Sequence, residues 1–124
     1  MKTIIGVCIA SALIVAGLIW NATRLPSEYG EFSGAAESVK VIDLIDRPAD
    51  FQHRNLAIRG EVREQCTTMG CYFYFLEGNK KLRVDLQDIA MNAPRKNGHT
   101  ARVEGQIVPY GDGYQFVASA VEFE

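Results

Sequence analysis

The chain has 124 residues, 48% of them apolar and 23% charged, with a formal net charge of −2. Once an apolar N-terminus is set aside, that length holds one domain around one core and leaves no room for a second. Thirteen Lys and Arg stand against fifteen Asp and Glu; they alternate along the chain without forming a basic face, which argues against a nucleic-acid partner.

Residues 3–20 contain neither charge nor proline. Eighteen residues make about 27 Å of helix, close to the ~30 Å of a hydrocarbon core. Trp20 falls at the interface, where an amphipathic ring is favoured. The stretch predicts a signal-anchor, a transmembrane helix over residues 1–20. A cleaved signal peptide is the alternative, but residues 20–27 offer no Ala-x-Ala cleavage site. Lys2 precedes the run, and Arg24 with Glu28 and Glu31 follows it, so the N-terminus is expected in the cytoplasm and the remainder on the periplasmic or extracytoplasmic side. Cys8 reads as an inert, lipid-facing thiol.

Residues 21–37 mix Pro26, Ser27, Gly30, Ser33 and Gly34 with acids and show no apolar period, so they read as a linker. Residues 38–46 predict a brief extended segment passing into a turn or two of helix. Arg47-Pro48 interrupts it, because proline lacks a donor and restricts the residue before it; residues 50–53 can add one more turn. From Leu56 the period becomes two. Leu56, Ile58 and Val62 face one way and Ala57, Arg59, Glu61 and Arg63 the other, with Gly60 suggesting a bulge or sharp coil. A hairpin tip at residues 66–71 leads to a second strand at 72–76. The third strand, 81–86, points Leu82, Val84 and Leu86 inward and Lys81, Arg83 and Asp85 outward. Residues 87–97 break the alternation; Ile89-Ala90-Met91 suits a short helix ending before Pro94. A fourth strand at 100–108 buries Ala101, Val103 and Ile107. Tyr110-Gly111-Asp112-Gly113-Tyr114 is a tight turn, and the fifth strand covers 114–123.

Five strands with a short helix between the third and fourth is the order of an OB-fold barrel. An SH3-like barrel or a split sheet could be built from similar pieces, but the strand order favours the OB fold, placed over residues 38–124. Ile58-Arg59-Gly60-Glu61-Val62 and Val103-Glu104-Gly105-Gln106-Ile107 repeat one pattern. They would be the first and fourth strands, adjacent in such a barrel and bent by glycine to close it.

Cys66-Thr67-Thr68-Met69-Gly70-Cys71, followed by Tyr72, is the densest candidate for chemistry. Flanking a four-residue loop, the two cysteines would sit opposite one another, where Cα atoms lie about 4.5–5.5 Å apart and a disulfide is accepted. On an oxidising side such a pair usually bridges, and the small loop is worth about 2 kcal/mol. The alternative, exclusive of the first, is soft-metal chemistry: Cys66, Met69 and Cys71 supply three sulfurs suited to copper(I). Thiol redox through the same pair is a further possibility, though such pairs are normally closer spaced. Tyr72 and Tyr74 share one face of the second strand, where OB domains stack bases, so single-stranded nucleic-acid binding along strands two and three is the weakest alternative; packing is the competing use of such a face. His53 and His99 are isolated and read as surface residues, and Asp43, Asp46 and Asp50 as a solvated helix face. No nucleophile–base arrangement, phosphate loop or acid pair appears, so no enzyme is expected, and no cofactor unless copper binds.

The Cys-x-x-x-Gly-Cys-aromatic hairpin between the first two strands resembles a group of exported bacterial OB-fold domains of unassigned function. The likeness runs over residues 39–122, with Tyr72 where Trp would be expected; it implies fold and export only. The layout of anchor, linker and barrel is also similar to the membrane-anchored haem chaperone of cytochrome c maturation. That family attaches haem through a C-terminal His-x-x-x-Tyr, which this sequence lacks after His99. The expected function is a membrane-anchored, exported, non-catalytic binding or assembly accessory. Its partners would be the membrane, through residues 3–20, and another protein or membrane complex.

Overall fold

The period-two segments of the sequence are strands in the computed structural model, which describes residues 28–66, 71–89 and 94–124. In chain order these are β1 (Glu28–Gly30), β2 (Glu37–Ser38), α1 (Val41–Asp46), a 3₁₀ turn (Pro48–Phe51), β3 (Leu56–Arg63), β4 (Tyr72–Glu77), β5 (Lys80–Asp85), β6 (Thr100–Tyr110) and β7 (Gly113–Phe123). The predicted anchor lies outside the described residues, and no described helix is long and apolar enough to cross a membrane.

β3 pairs with β4, β4 with β5, β5 in parallel with β7, β7 with β6, and β6 back with β3. Five strands thus close into a barrel in the OB order, and the predicted first and fourth strands are neighbours. Alternation fills the inside. Leu56, Ile58 and Val62 from β3, Phe73 and Phe75 from β4, Leu82 and Val84 from β5, and Val103, Ile107, Phe116 and Val121 from the last two strands are all buried. Each such side chain is worth about 1.5–3 kcal/mol in apolar area removed from water. The rings of Phe73, Phe75 and Phe123 meet edge to face within this core.

The two glycines of the repeated pattern leave room for different neighbours. At Gly105 the β6–β7 register shifts, and a Cβ there would lie 2.0 Å from the Val117 carbonyl oxygen. Only a residue without a side chain lets the backbones approach so closely. At Gly60 the space is taken by the Phe75 ring, whose Cδ1 would be 2.9 Å from a Cβ. An aromatic laid over a strand glycine keeps the core filled where the glycine leaves space, and the β3–β6 register runs through Gly60 without a shift.

α1 caps one end of the barrel. Val41 and Leu44, three residues apart and so on one face, are buried against β3, β4 and β5. Pro48 ends the helix and opens the 3₁₀ turn, as the sequence predicted.

Residues 21–37 do not behave as a linker over their described part. β1 pairs antiparallel with the end of β7, and β2 parallel with the start of β3. Between them, Ser33 donates from its N–H and its hydroxyl to one oxygen of Glu104, at 3.0 and 2.9 Å. Glu104 is buried, and these charge-assisted bonds offset what its burial costs. The barrel therefore carries an N-terminal strap whose Gly, Ser and Glu interrupt any apolar period, with Tyr29 packed edge to face on Phe123.

Candidate functional site

The hairpin tip differs from the geometry its spacing suggested. The register that pairs Arg63 with Tyr74 would set Cys66 opposite Cys71. Instead the Cys66 N–H donates to the Tyr72 carbonyl at 2.9 Å, one residue out of step. The extra residue is Glu64, whose φ of 47° bulges the strand. Cys71 stays in line with β5, its carbonyl accepting from Leu86 N–H at 2.8 Å. The two cysteines are half-buried thiols in side-chain contact. Burial, and then the neighbouring Cys66, push the Cys71 thiol above its ordinary 9.0, with Arg83 pulling weakly the other way. Met69 lies outside the described residues, so only two members of the proposed sulfur set are placed. Among the described residues no three His, Cys, Asp or Glu side chains converge as metal ligands.

Gln65, next to Cys66, is buried and holds the tip to the β5–β6 loop. Its amide donates to the Pro94 carbonyl at 3.0 Å and accepts from Lys96 N–H at 2.7 Å, while its own N–H donates to Asn97 at 3.1 Å. The tip is fixed at its base by this three-bond latch.

From the tip, β4 sends Phe73 and Phe75 into the core and turns Tyr72, Tyr74 and Leu76 outward, as strand alternation requires. β5 answers with Lys81, Arg83 and Asp85 on the same outer face, paired as Leu76↔Lys81, Tyr74↔Arg83 and Tyr72↔Asp85. The cations lean diagonally onto the rings two positions along. The Arg83 guanidinium carbon lies 3.9 Å from the Tyr72 ring centre, and Lys81 Nζ lies 4.6 Å from that of Tyr74. Tyr72 and Tyr74 meet edge to face at 5.9 Å. A third ring closes the group, since Tyr110 of the β6–β7 hairpin stands 5.1 Å from Arg83. Arg83 Nε donates to Gln115 at 3.2 Å. Burial alone would lower the Arg83 pKa, but the Tyr74 hydroxyl, Tyr110 and Asp85 more than offset it and the net shift is upward. A fixed cation thus stands between two tyrosines on an exposed barrel wall.

The sequence had singled out Tyr72 and Tyr74, and the structure sets both on this outer face. Lys81 and Arg83 had been read as outward residues but not as members of a site; the alternation that exposed them was the available signal. Tyr110 had no local signal, because a fold-level closure brings it to β5. His53 is exposed, and His99 is exposed with Nδ1 3.0 Å from the Glu124 carbonyl. Asp43 pairs with Arg47 and Asp46 with Lys80 on the solvated side of α1. A hollow of about 520 Å³ lies elsewhere, between Ile89, Gly105, Val108 and Val117, with Asp88 as its one charged lining residue among the described residues.

Comparison with solved structures places the fold. The chain is similar to the telomere capping protein Ten1 from Saccharomyces pombe, with TM-score 0.53 and 11% identity over 72% of this chain and 81% of that one. It is similar to the S. pombe Stn1–Ten1 complex, with TM-score 0.55 and 12% identity over 74% and 79%. A hypothetical protein, YgiW from E. coli, matches with TM-score 0.54 and 13% identity over 77% of this chain and 99% of that one. No family model matches the chain. No curated protein matches it either. The likenesses establish an OB-fold barrel; neither resemblance drawn from the hairpin motif or the anchored layout gains more from them than the fold.

Proposed function

We propose that this chain is a non-catalytic OB-fold binding module, carried on the exported side of a membrane by residues 3–20, which assembles with a protein partner through the outer face of β4 and β5. One observation carries the reading. Among the described residues the large hydrophobic side chains left exposed are Leu76, at 44%, and Tyr110, at 51%. Leu76 and Tyr110 flank the Tyr72–Arg83–Tyr74 group. Tyrosine and arginine on a rigid wall with apolar residues beside them is the composition of a protein-binding hot spot. A structural neighbour was itself solved in complex with another protein, Stn1 with Ten1. On an oxidising side Cys66 and Cys71 would close as a disulfide and stiffen the tip beside this face. Copper or redox handling through Cys66, Met69 and Cys71 is the weaker reading, since the raised Cys71 pKa opposes the thiolate that both chemistries need.

Purification of the full chain from membranes in mild detergent tests the reading. Wild type is expected in the membrane fraction with a stoichiometric protein partner, and a Tyr72→Ala, Tyr74→Ala double variant of unchanged thermal stability is expected there without it. A partner retained by the double variant would refute the face, and a soluble full-length chain would refute the anchor.

A further inference from the structure

The strands among the described residues carry six lysines and arginines: Arg59 and Arg63 on β3, Lys80, Lys81 and Arg83 on β5, and Arg102 on β6. Five are answered by a carboxylate. Arg59 pairs with Glu124, Arg63 with Glu61, Lys80 with Asp46, Lys81 with Glu64, and Arg102 with Glu122. Arg83 has no ion-pair partner among the described residues. Asp85, two positions along the same strand, accepts from Gln87 N–H at 3.1 Å and acts on Arg83 without ion-pair contact. Yet Arg83 is the most enclosed of the six, held between the rings of Tyr72 and Tyr110 with Nε given to Gln115. A guanidinium has five N–H donors in a planar fork, and Gln115 with the Tyr74 hydroxyl fills only part of it. A partly desolvated cation that feels Asp85 without ion-pair contact keeps part of its desolvation cost, and a carboxylate seated bidentate on the fork relieves it.

Resting on the binding face proposed above, we propose that its partner presents an acidic peptide segment, with one Asp or Glu carboxylate seated on Arg83 and neighbouring apolar side chains laid against Leu76 and Tyr110. The occupant is a peptide rather than a nucleic acid for two reasons on this face. Stacking bases need open ring faces, but Arg83 already lies over one face of Tyr72 and Lys81 over one of Tyr74. A phosphate chain needs a run of unanswered cations, and Lys81 and Arg63 are both neutralised by their own glutamates. One open cation suits one carboxylate.

The test is a titration of the full chain in zwitterionic micelles with an acetylated hexaglutamate peptide, with hexathymidylate as the nucleic-acid arm, following by NMR the backbone amide resonances of β4 and β5 in every variant and, in wild type, the Arg83 side-chain Nε–H resonance. Hexaglutamate is expected to shift that resonance saturably. Arg83→Gln should weaken binding by about tenfold or more, the loss of a charge-assisted hydrogen bond, whereas Arg63→Gln should change it by less than about twofold. Arg83→Lys, which keeps the charge and the fold but not the fork, should fall between the two. The proposal is overturned if hexaglutamate binds equally well to Arg83→Gln, if neither probe binds, or if hexathymidylate binds as tightly and with the same dependence on Arg83. Loss of the co-purifying partner in the tyrosine double variant, with no hexaglutamate binding, would keep the face and discard the acidic class. Retention of that partner would discard the face itself.

Discussion

Cys71 shows how its surroundings set a side chain's chemistry. The residue stands at the foot of β4 with its carbonyl bound to β5 and its sulfur against Cys66. Burial comes first and the neighbouring thiol second in holding its proton. Its folded pKa is thus above the unfolded one, so the favourable contribution of the protonated thiol is fully present below pH 9.0 and is lost as pH rises through the folded value. In the reduced protein, alkylation of Cys71 followed by mass spectrometry should reach half its maximal rate above pH 9.0. Cys66→Ser should lower that midpoint without restoring the ordinary value, because burial is the larger cause. A rate already at its plateau near about pH 8 would contradict this and bring back the reactive-thiol reading. That the two cysteines lie against one another was legible from their spacing. The one-residue offset between them was not, because it comes from a positive φ at Glu64, a residue type that carries no signal for it.

Among the elements, glycine separates what a pattern can tell from what it cannot. The shared motif in β3 and β6 marked two positions where a Cβ has no room, of which Gly105 alone carries a register shift. It did not say that one is a backbone approach and the other a ring laid over a gap. Gly105→Ala would press a Cβ into the Val117 carbonyl at 2.0 Å, with no flexible side chain able to move aside. Urea unfolding should register a loss of about 3 kcal/mol. Gly111→Ala, in the turn between β6 and β7, meets open space and only a φ of 56°. It should cost about 1 kcal/mol. Equal losses at the two sites would show that backbone strain, rather than the bulge, governs both. β1 is the element that sequence could not supply. Three residues with no apolar alternation become a strand because the end of β7 offers an open edge and the buried Glu104 receives Ser33.

For the whole molecule, the five barrel strands were readable because each alternates and each is bounded by turn residues. The binding face was readable only in part. Tyr72 and Tyr74 follow from the alternation of β4, but the cage around Arg83 needs Tyr110, 27 positions farther along, and so exists only once the barrel is closed. That closure turns an aromatic strand into a face with one unanswered cation. The central claim is that a protein partner docks there. It is tested most directly in cells by placing a photo-reactive phenylalanine analogue at Leu76, on the face, and separately at Asp50, on the exposed turn after α1. Irradiation should give one discrete adduct from position 76, lost when Arg83→Gln is added, and none from position 50. Adducts of equal yield from both positions, or an adduct from 76 that is indifferent to Arg83, would contradict the account.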